Sequence, residues 1–242
     1  MTPDSARDHW EQRADDWIAL THEDPQYELL NKPSFLDLVP PPGRLTIEVG
    51  CGEGRMAREL RALGHRVLGV DASPALARAA HEHEVSLPVA VGDISHLPVA
   101  TGAADIVVCF MVLMDIEDLD GAVAELARVM TADGTLCIAI LHPIMTSGLF
   151  VPGDEYGTFY MGEYAKPMRH VLEIERRAGG TFTFRVEHRP FESYGRACEA
   201  AGLAITALRE PLPSPELAEA REELSRARRV PAFLHLVARR SG

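Results

Sequence analysis

The sequence predicts a doubly wound α/β fold, a mostly parallel seven-stranded sheet with a substrate cap inserted after its fifth strand. Three observations predict it. Between residues 45 and 141, short apolar runs rich in β-branched residues alternate with amphipathic helical patterns. The runs show little polar alternation, which marks strands buried on both faces, and parallel strands need crossover helices to cover those faces. Two further strand-like runs then close the chain beyond a long, aromatic and glycine-rich segment.

Taken in order, the first helical region carries Trp10, Ala14, Trp17 and Ile18 at helical spacing and ends at Pro40, Pro41, Pro42 and Gly43. The five strand runs are LTIEV (45–49), RVLGV (66–70), LPVAV (87–91), DIVVCF (105–110) and TLCIAIL (135–141). MARELRALG, SPALARAAHEH and DLDGAVAELARVM are the helices between them. In the segment 142–190, HVLEIERR and TFTFRVEH flank Ala178, Gly179 and Gly180 as one hairpin. A connection of that length after a sheet strand is more often a functional lid than a structureless tether. The helix FESYGRACEAAG and the strands LAITALRE and PAFLHLVARR complete the chain. The expected organisation is a single domain over residues 1–242: lid helices (1–40), ligand-binding core (41–141), substrate cap (142–190), and C-terminal helix and strands (191–242).

Composition excludes some partners. With a formal net charge of -12, attraction to a nucleic-acid backbone or an anionic membrane is disfavoured, because binding a polyanion relies on clustered Lys and Arg. The densest basic run, Arg226 to Arg229, follows an acidic stretch and is expected on a salt-laced, solvated helix. Cys51, Cys109, Cys137 and Cys198 form no CxxC pair, so reduced thiols are expected and neither a disulfide frame nor a metal site. The acidic N-terminus lacks the zones of a signal peptide, and no apolar run approaches the roughly 20 residues that span a bilayer. A cytoplasmic monomer or homodimer is the expectation.

Gly50, Gly52 and Gly54 stand where the first strand hands over to its helix, so the chain can turn tightly and present N–H groups to a ligand. A dinucleotide turn of the GxGxxG type would need glycine at position 55, where Arg55 stands. The acid before the turn, Glu48, suits a cationic amino or sulfonium group better than a pyrophosphate. Three more strand ends agree. Asp71 ends the second strand, placed to accept both hydroxyls of a ribose. Asp93 follows the third, where its carboxylate can accept from an adenine amino group while the Ile94 N–H reaches a ring nitrogen. Phe110 and Met111 end the fourth, where their backbone can meet an amino-acid moiety. Each acid alone could be a helix cap or turn former; all of them at successive strand ends point to one ligand.

On these residues the chain resembles the class I S-adenosylmethionine-dependent methyltransferases, in their small-molecule branch. EVGCGEGR is similar to the family's first motif, GVDASP to the acidic loop, GDISHLP to the adenine loop, and LARVMTADGTL to the approach to strand five, where TADG replaces the usual Pro-Gly-Gly turn. The resemblance implies S-adenosylmethionine as cofactor, with Gly50, Cys51 and Gly52 along its methionine and Glu48 behind them. It further implies Asp71 on the ribose, Ala72 and Ser73 lining the adenine, Asp93 and Ile94 at its edge, and the Phe110 carbonyl and Met111 nearby. Cys51 also raises a redox alternative, although close backbone approach explains a small residue there.

Methyl transfer from a sulfonium mainly requires alignment of the acceptor. The nucleic-acid branch carries an Asn or Asp followed by Pro-Pro and an aromatic after strand four; here that place reads CFMVLMD. With the acidic charge, this points to a small, partly apolar acceptor. Where a hydroxyl must lose its proton, His142 after strand five and His188 at the end of the hairpin are the candidate bases. Trp17, Met114, Tyr160 and Tyr164 are expected to line the acceptor pocket, and Trp17 and Tyr27 to close over the cofactor as a lid. Two other classes compete: a protein of this fold that keeps the cofactor for non-methylating chemistry such as cyclisation, and a nicotinamide-dependent oxidoreductase, which Arg55 disfavours.

Overall fold

The computed structural model describes residues 5–21, 25–151, 157–175 and 181–241. Helices α1 (Ala6–Gln12) and α2 (Ala14–Thr21), a π-helical turn (Tyr27–Asn31) and α3 (Lys32–Leu36) precede the sheet. The alternating core follows as β1 (Thr46–Val49), α4 (Arg55–Ala62), β2 (Val67–Asp71), α5 (Pro74–His83), β3 (Val89–Val91), β4 (Ala104–Phe110), α6 (Leu119–Val129) and β5 (Met130–Leu141). After it come α7 (Pro143–Thr146), β6 (Gly148–Phe150), β7 (Phe159–Met161), β8 (Met168–Glu175), β9 (Thr181–His188) and α8 (Phe191–Ala200). The chain ends with β10 (Leu203–Arg209), α9 (Pro215–Ala220), α10 (Glu222–Ser225), a 3-10 turn (Arg226–Arg228) and β11 (Phe233–Arg240).

Seven strands form one sheet in the order β10-β11-β5-β4-β1-β2-β3. β1 pairs in parallel with β2 and β4, β2 with β3 and β4 with β5, while β11 runs antiparallel to both β5 and β10. Side chains alternate across a strand, and here both faces are apolar. Ile47, Val49, Val107, Cys109, Leu136, Ile138 and Ile140 join α6 and α8 in one core. Their sequence neighbours Ile106, Val108, Phe110, Cys137 and Ala139 join Met56, Ala57 and Leu60 of α4 and Phe35 of α3 in the other. This is why the strands read as continuous apolar runs.

Strand order reverses between β1 and β4, and the crevice outside their carboxyl ends is where open α/β sheets bind ligands. The glycine turn lies there. Gly50 (φ 72°), Gly52 (φ 56°) and Gly54 (φ 86°) all adopt left-handed backbone. At Gly50 a Cβ would also stand 2.2 Å from Val112 Cγ2, so conformation and space both demand glycine. Met111, just past β4, has φ 60° without being glycine, and such strain concentrates at functional sites.

Two further expectations meet the structure here. The hairpin is present as β8 and β9, its turn at 178–180 lying outside the described residues; the β6–β7 pair was not foreseen. The basic run is exposed and helical, as expected, though on a 3-10 turn and not on a regular α-helix. The helical stretch breaks into α10 and the 3-10 turn, and the exposed arginines make surface contacts: Arg226 over the Phe150 ring at 5.2 Å, Arg228 on the Pro213 carbonyl at 2.8 Å, and Arg229 on the Gly157 carbonyl at 2.8 Å. Arginine's forked donors capture carbonyls that a purely solvated cation would leave alone.

Candidate active site

The groove at the strand ends is lined by Glu48, Val49, Gly50, Cys51 and Gly52 from β1 and its turn, and by Asp71 and Ala72 after β2. Asp93 and Ile94 after β3 and Phe110, Met111 and Val112 after β4 line it as well. Ten of the twelve residues expected to bind a cofactor therefore meet in one place: all but Tyr27 and Ser73.

Asp71 organises the floor. Its Oδ2 accepts from the Gly52 N–H at 2.8 Å and its Oδ1 from the Ser73 N–H at 2.8 Å. Burial pushes its carboxyl up, and these two backbone bonds oppose the shift. Ser73 is occupied elsewhere. It caps α5 through Leu76 N–H and donates to Glu11 of α1 at 2.5 Å, and the same carboxylate oxygen accepts from Ala75 N–H at 3.0 Å. A carboxylate at a helix N-terminus is favourable, and here it seats α1 beside the groove.

Glu48 is buried, and its Oε2 has no hydrogen-bond partner among the described residues. Burial, then the nearby Asp71 and Glu53, raise its carboxyl well above the usual range. An orphaned carboxylate oxygen facing a groove is a poor structural element and a good receptor for a cation. Cys51 is pushed the same way by burial, Glu48 and Asp71, so its thiol stays protonated and the redox alternative loses its activated thiolate. The other three cysteines are likewise buried free thiols.

Aromatic side chains close one side. Trp10 and Trp17 line the groove and pack against Phe182 and Phe184 of β9 with centroid distances of 5.9 to 6.3 Å. Trp17 Nε1 lies 3.7 Å from where a Cβ on Gly52 would stand, so this ring covers the turn. Tyr27 does not. It is buried edge-on to Phe110 at 5.8 Å with the Arg55 guanidinium 3.8 Å over its face, so it supports Arg55, which does line the groove.

The structure does not bring the histidines to the groove. His142 is the N-cap of α7: its Nδ1 accepts from Ile144 N–H at 3.1 Å, which leaves Nε2–H to donate to Glu210 at 2.8 Å. His188 is buried, with Nε2–H donating to the Tyr164 carbonyl at 2.8 Å and Nδ1 lying 2.7 Å from the Thr146 hydroxyl. Burial lowers both imidazoles, which favours neutral rings locked in one tautomer. The expected result of His188→Ala is a loss of about 2 to 4 kcal/mol in stability, from two buried hydrogen bonds and a cavity. Denaturant unfolding would show it, while cofactor affinity would stay within a few-fold of wild type.

Three expected acceptor-lining residues also lie elsewhere. Met114 is packed in the core, Tyr160 is 67% exposed on β7, and the Tyr164 hydroxyl accepts from the Phe191 N–H at 3.0 Å. In their place stand Arg7, Trp10, Asp115 and Ile116. Asp115 follows Met114 at the strand-four end already singled out, and Trp10 was marked only as an apolar helix position; those were the available signals.

This sheet order, with an acid-backed glycine turn and a second acid at the end of β2, is that of the class I S-adenosylmethionine-dependent methyltransferase fold. The donor set fits that cofactor: an orphaned carboxylate oxygen for a cationic group, a carboxylate beside the turn for a ribose, and glycines where side chains would intrude. Comparison with known proteins agrees. Residues 47–138 match the methyltransferase domain family. The chain is 32% identical over 100 residues to a malonyl-acyl-carrier-protein O-methyltransferase of Serratia marcescens, covering 41% of this chain and 39% of that protein. It is 33% identical over 120 residues to a ubiquinone biosynthesis O-methyltransferase of Methylococcus capsulatus, covering 47% and 51%. The chain thus spans about two fifths to one half of the length of these two curated relatives. A crystal structure of an S-adenosylmethionine-dependent methyltransferase from Mesorhizobium loti superposes with a TM-score of 0.73 at 23% identity, covering 86% of this chain and 96% of that one, a likeness of fold. Among the described residues, no helix is long and apolar enough to cross a membrane.

Proposed function

We propose that the protein transfers a methyl group from S-adenosylmethionine to a hydroxyl of a small, partly aromatic molecule. The observation that carries the reading is the pairing of Asp71, fixed by Gly52 and Ser73 N–H groups, with the orphaned Glu48 oxygen across one glycine turn. The two relatives described above, both O-methyltransferases, support oxygen as the acceptor atom. The two groove-lining tryptophans support an aromatic acceptor, since an indole wall packs a flat ring.

Bound in the groove, S-adenosylmethionine would supply an electrophilic methyl on a sulfonium. Glu48 is assigned to the cationic amino group, Asp71 to the ribose hydroxyls, and Asp93 with the Ile94 N–H to the adenine edge. Trp17 covers the turn and excludes water from the reacting side. Most of the rate enhancement then comes from alignment, with the acceptor oxygen held about 3 Å from the methyl. The cap reading of residues 142–190 is supported by β9, whose Phe182 and Phe184 buttress both tryptophans. The buried free thiols support a reducing, cytoplasmic setting.

The test is product analysis with cofactor labelled at its methyl group, against a panel of mono- and dihydroxyaromatic compounds. Label appearing in an acceptor, with stoichiometric S-adenosylhomocysteine, is the expected result. Conversion of a substrate with retention of unreacted cofactor would replace it with the non-methylating alternative.

A further inference from the structure

We propose that Asp115 is the catalytic base of the reaction, holding the acceptor hydroxyl where the cofactor groove meets a second, smaller cavity and taking its proton. The proposal rests on the methyl-transfer reading above and assigns a residue to the step which the two histidines do not reach.

Asp115 stands at a junction. It lines the cofactor groove and also a second, smaller cavity, and the two share Ala6, Trp10 and Asp115. The second cavity opens between α1 and the cap hairpin, where Arg169 pairs with Glu117 and Glu187. Trp10 lines both cavities beside it, and its indole N–H favours the charged carboxylate. A carboxylate with lone pairs to spare can accept from an acceptor O–H. The wall beside it is indole, suited to a planar ring, and a negative oxygen beside a carboxylate would be repelled, so a neutral hydroxyl is the acceptor that this corner fits.

The step balances without a further reagent. The hydroxyl proton passes to an Asp115 oxygen, an oxygen lone pair forms the new O–CH3 bond, the S–CH3 bond breaks, and its electron pair remains on sulfur. Burial pushes the Asp115 carboxyl well above the ordinary range, and Glu187 adds to the shift while the Trp10 N–H opposes it. A base whose affinity for protons lies nearer neutrality is better matched to this task. The charged and titratable groups around it are Arg7 and His9 from α1, Cys109 from β4, Glu117 before α6, Arg169 from β8, Arg185 and Glu187 from β9, and Tyr194 from α8.

Two measurements on the full chain decide it. In a Trp17→Phe background Trp10 is the single tryptophan, and its emission without cofactor should titrate with a midpoint above the usual carboxylate range. Asp115→Asn should abolish that transition and leave any contribution from His9. The second measurement is methyl transfer to the hydroxyaromatic panel. Asp115→Asn should lower kcat by roughly 10²- to 10⁴-fold with S-adenosylhomocysteine affinity within about threefold of wild type, and Asp115→Glu should restore part of the rate with a shifted pH profile. Near-wild-type turnover in Asp115→Asn, or a Trp10 emission blind to that substitution, would overturn the assignment. A wild type that binds S-adenosylhomocysteine yet methylates no member of the panel would overturn the acceptor class. No binding of S-adenosylhomocysteine at all would instead remove the methyl-transfer reading beneath it.

Discussion

Asp71→Ala is expected to weaken binding of S-adenosylhomocysteine by about 10²- to 10⁴-fold. Two ribose hydroxyls donating to a carboxylate contribute roughly 1.5 to 3 kcal/mol each, and each 1.4 kcal/mol is tenfold in affinity. The residue has a second task, because its oxygens also hold the Gly52 and Ser73 N–H groups. Losing them loosens the turn and the start of α5 together. Asp71→Asn separates the two contributions: it keeps the size of the side chain but can accept through one oxygen only, so it should fall between alanine and wild type. Calorimetry on folded variants measures this, and equal affinity for all three proteins would remove Asp71 from the site.

Glu48→Gln should produce effects of opposite sign on binding and on stability. The orphaned oxygen is matched to a cation, so its neutralisation should cost about 10- to 150-fold in cofactor affinity, the worth of one charge-assisted bond of roughly 1.5 to 3 kcal/mol. The ligand-free protein should become more stable at pH values above the folded pKa of Glu48, since an uncompensated buried charge is removed there. The pH dependence follows from the raised carboxyl of Glu48. A group whose folded pKa lies above its unfolded value stabilises the fold while protonated, below the ordinary carboxylate pKa. That contribution is lost as pH rises through the folded value. Stability of the ligand-free protein should therefore decline over that interval, cofactor affinity should rise over it, and the glutamine variant should lose the Glu48 share of both slopes. The shares of Asp71 and Asp115, also raised, would remain. Denaturant midpoints and calorimetry at several pH values provide the check.

Much of this was legible in the sequence, for reasons that particular residues make plain. Ile47 and Val49 face one core while Ile106, Val108 and Phe110 face the other, so unbroken apolar runs encoded strands covered on both sides. Gly50, Asp71, Asp93 and Phe110 were readable because each sits at a strand end, and strand ends converge in a parallel sheet. What strand order does not encode is where a ring points. His142 leaves β5 at the right end, but Pro143 starts a helical turn immediately and makes the imidazole its cap. His188 leaves β9 facing α7 and the Tyr164 carbonyl. Asp115 went unmarked because an acid after a strand is usually a turn former; its contact with Trp10 spans more than a hundred residues. Arg55 was noticed only as a missing glycine, though its guanidinium joins Tyr27 and Trp17 at the groove.

The central claim is that the crevice between β1 and β4 receives S-adenosylmethionine. Both tryptophans of the chain line that groove, so intrinsic emission and calorimetric heat should report the same event. Titration of the intact protein with S-adenosylhomocysteine should give one saturable site per chain by both signals, abolished or strongly weakened in Asp71→Ala, with NADH producing neither. Absence of heat and of any emission change up to millimolar S-adenosylhomocysteine, or saturation by NADH in its place, would contradict the account.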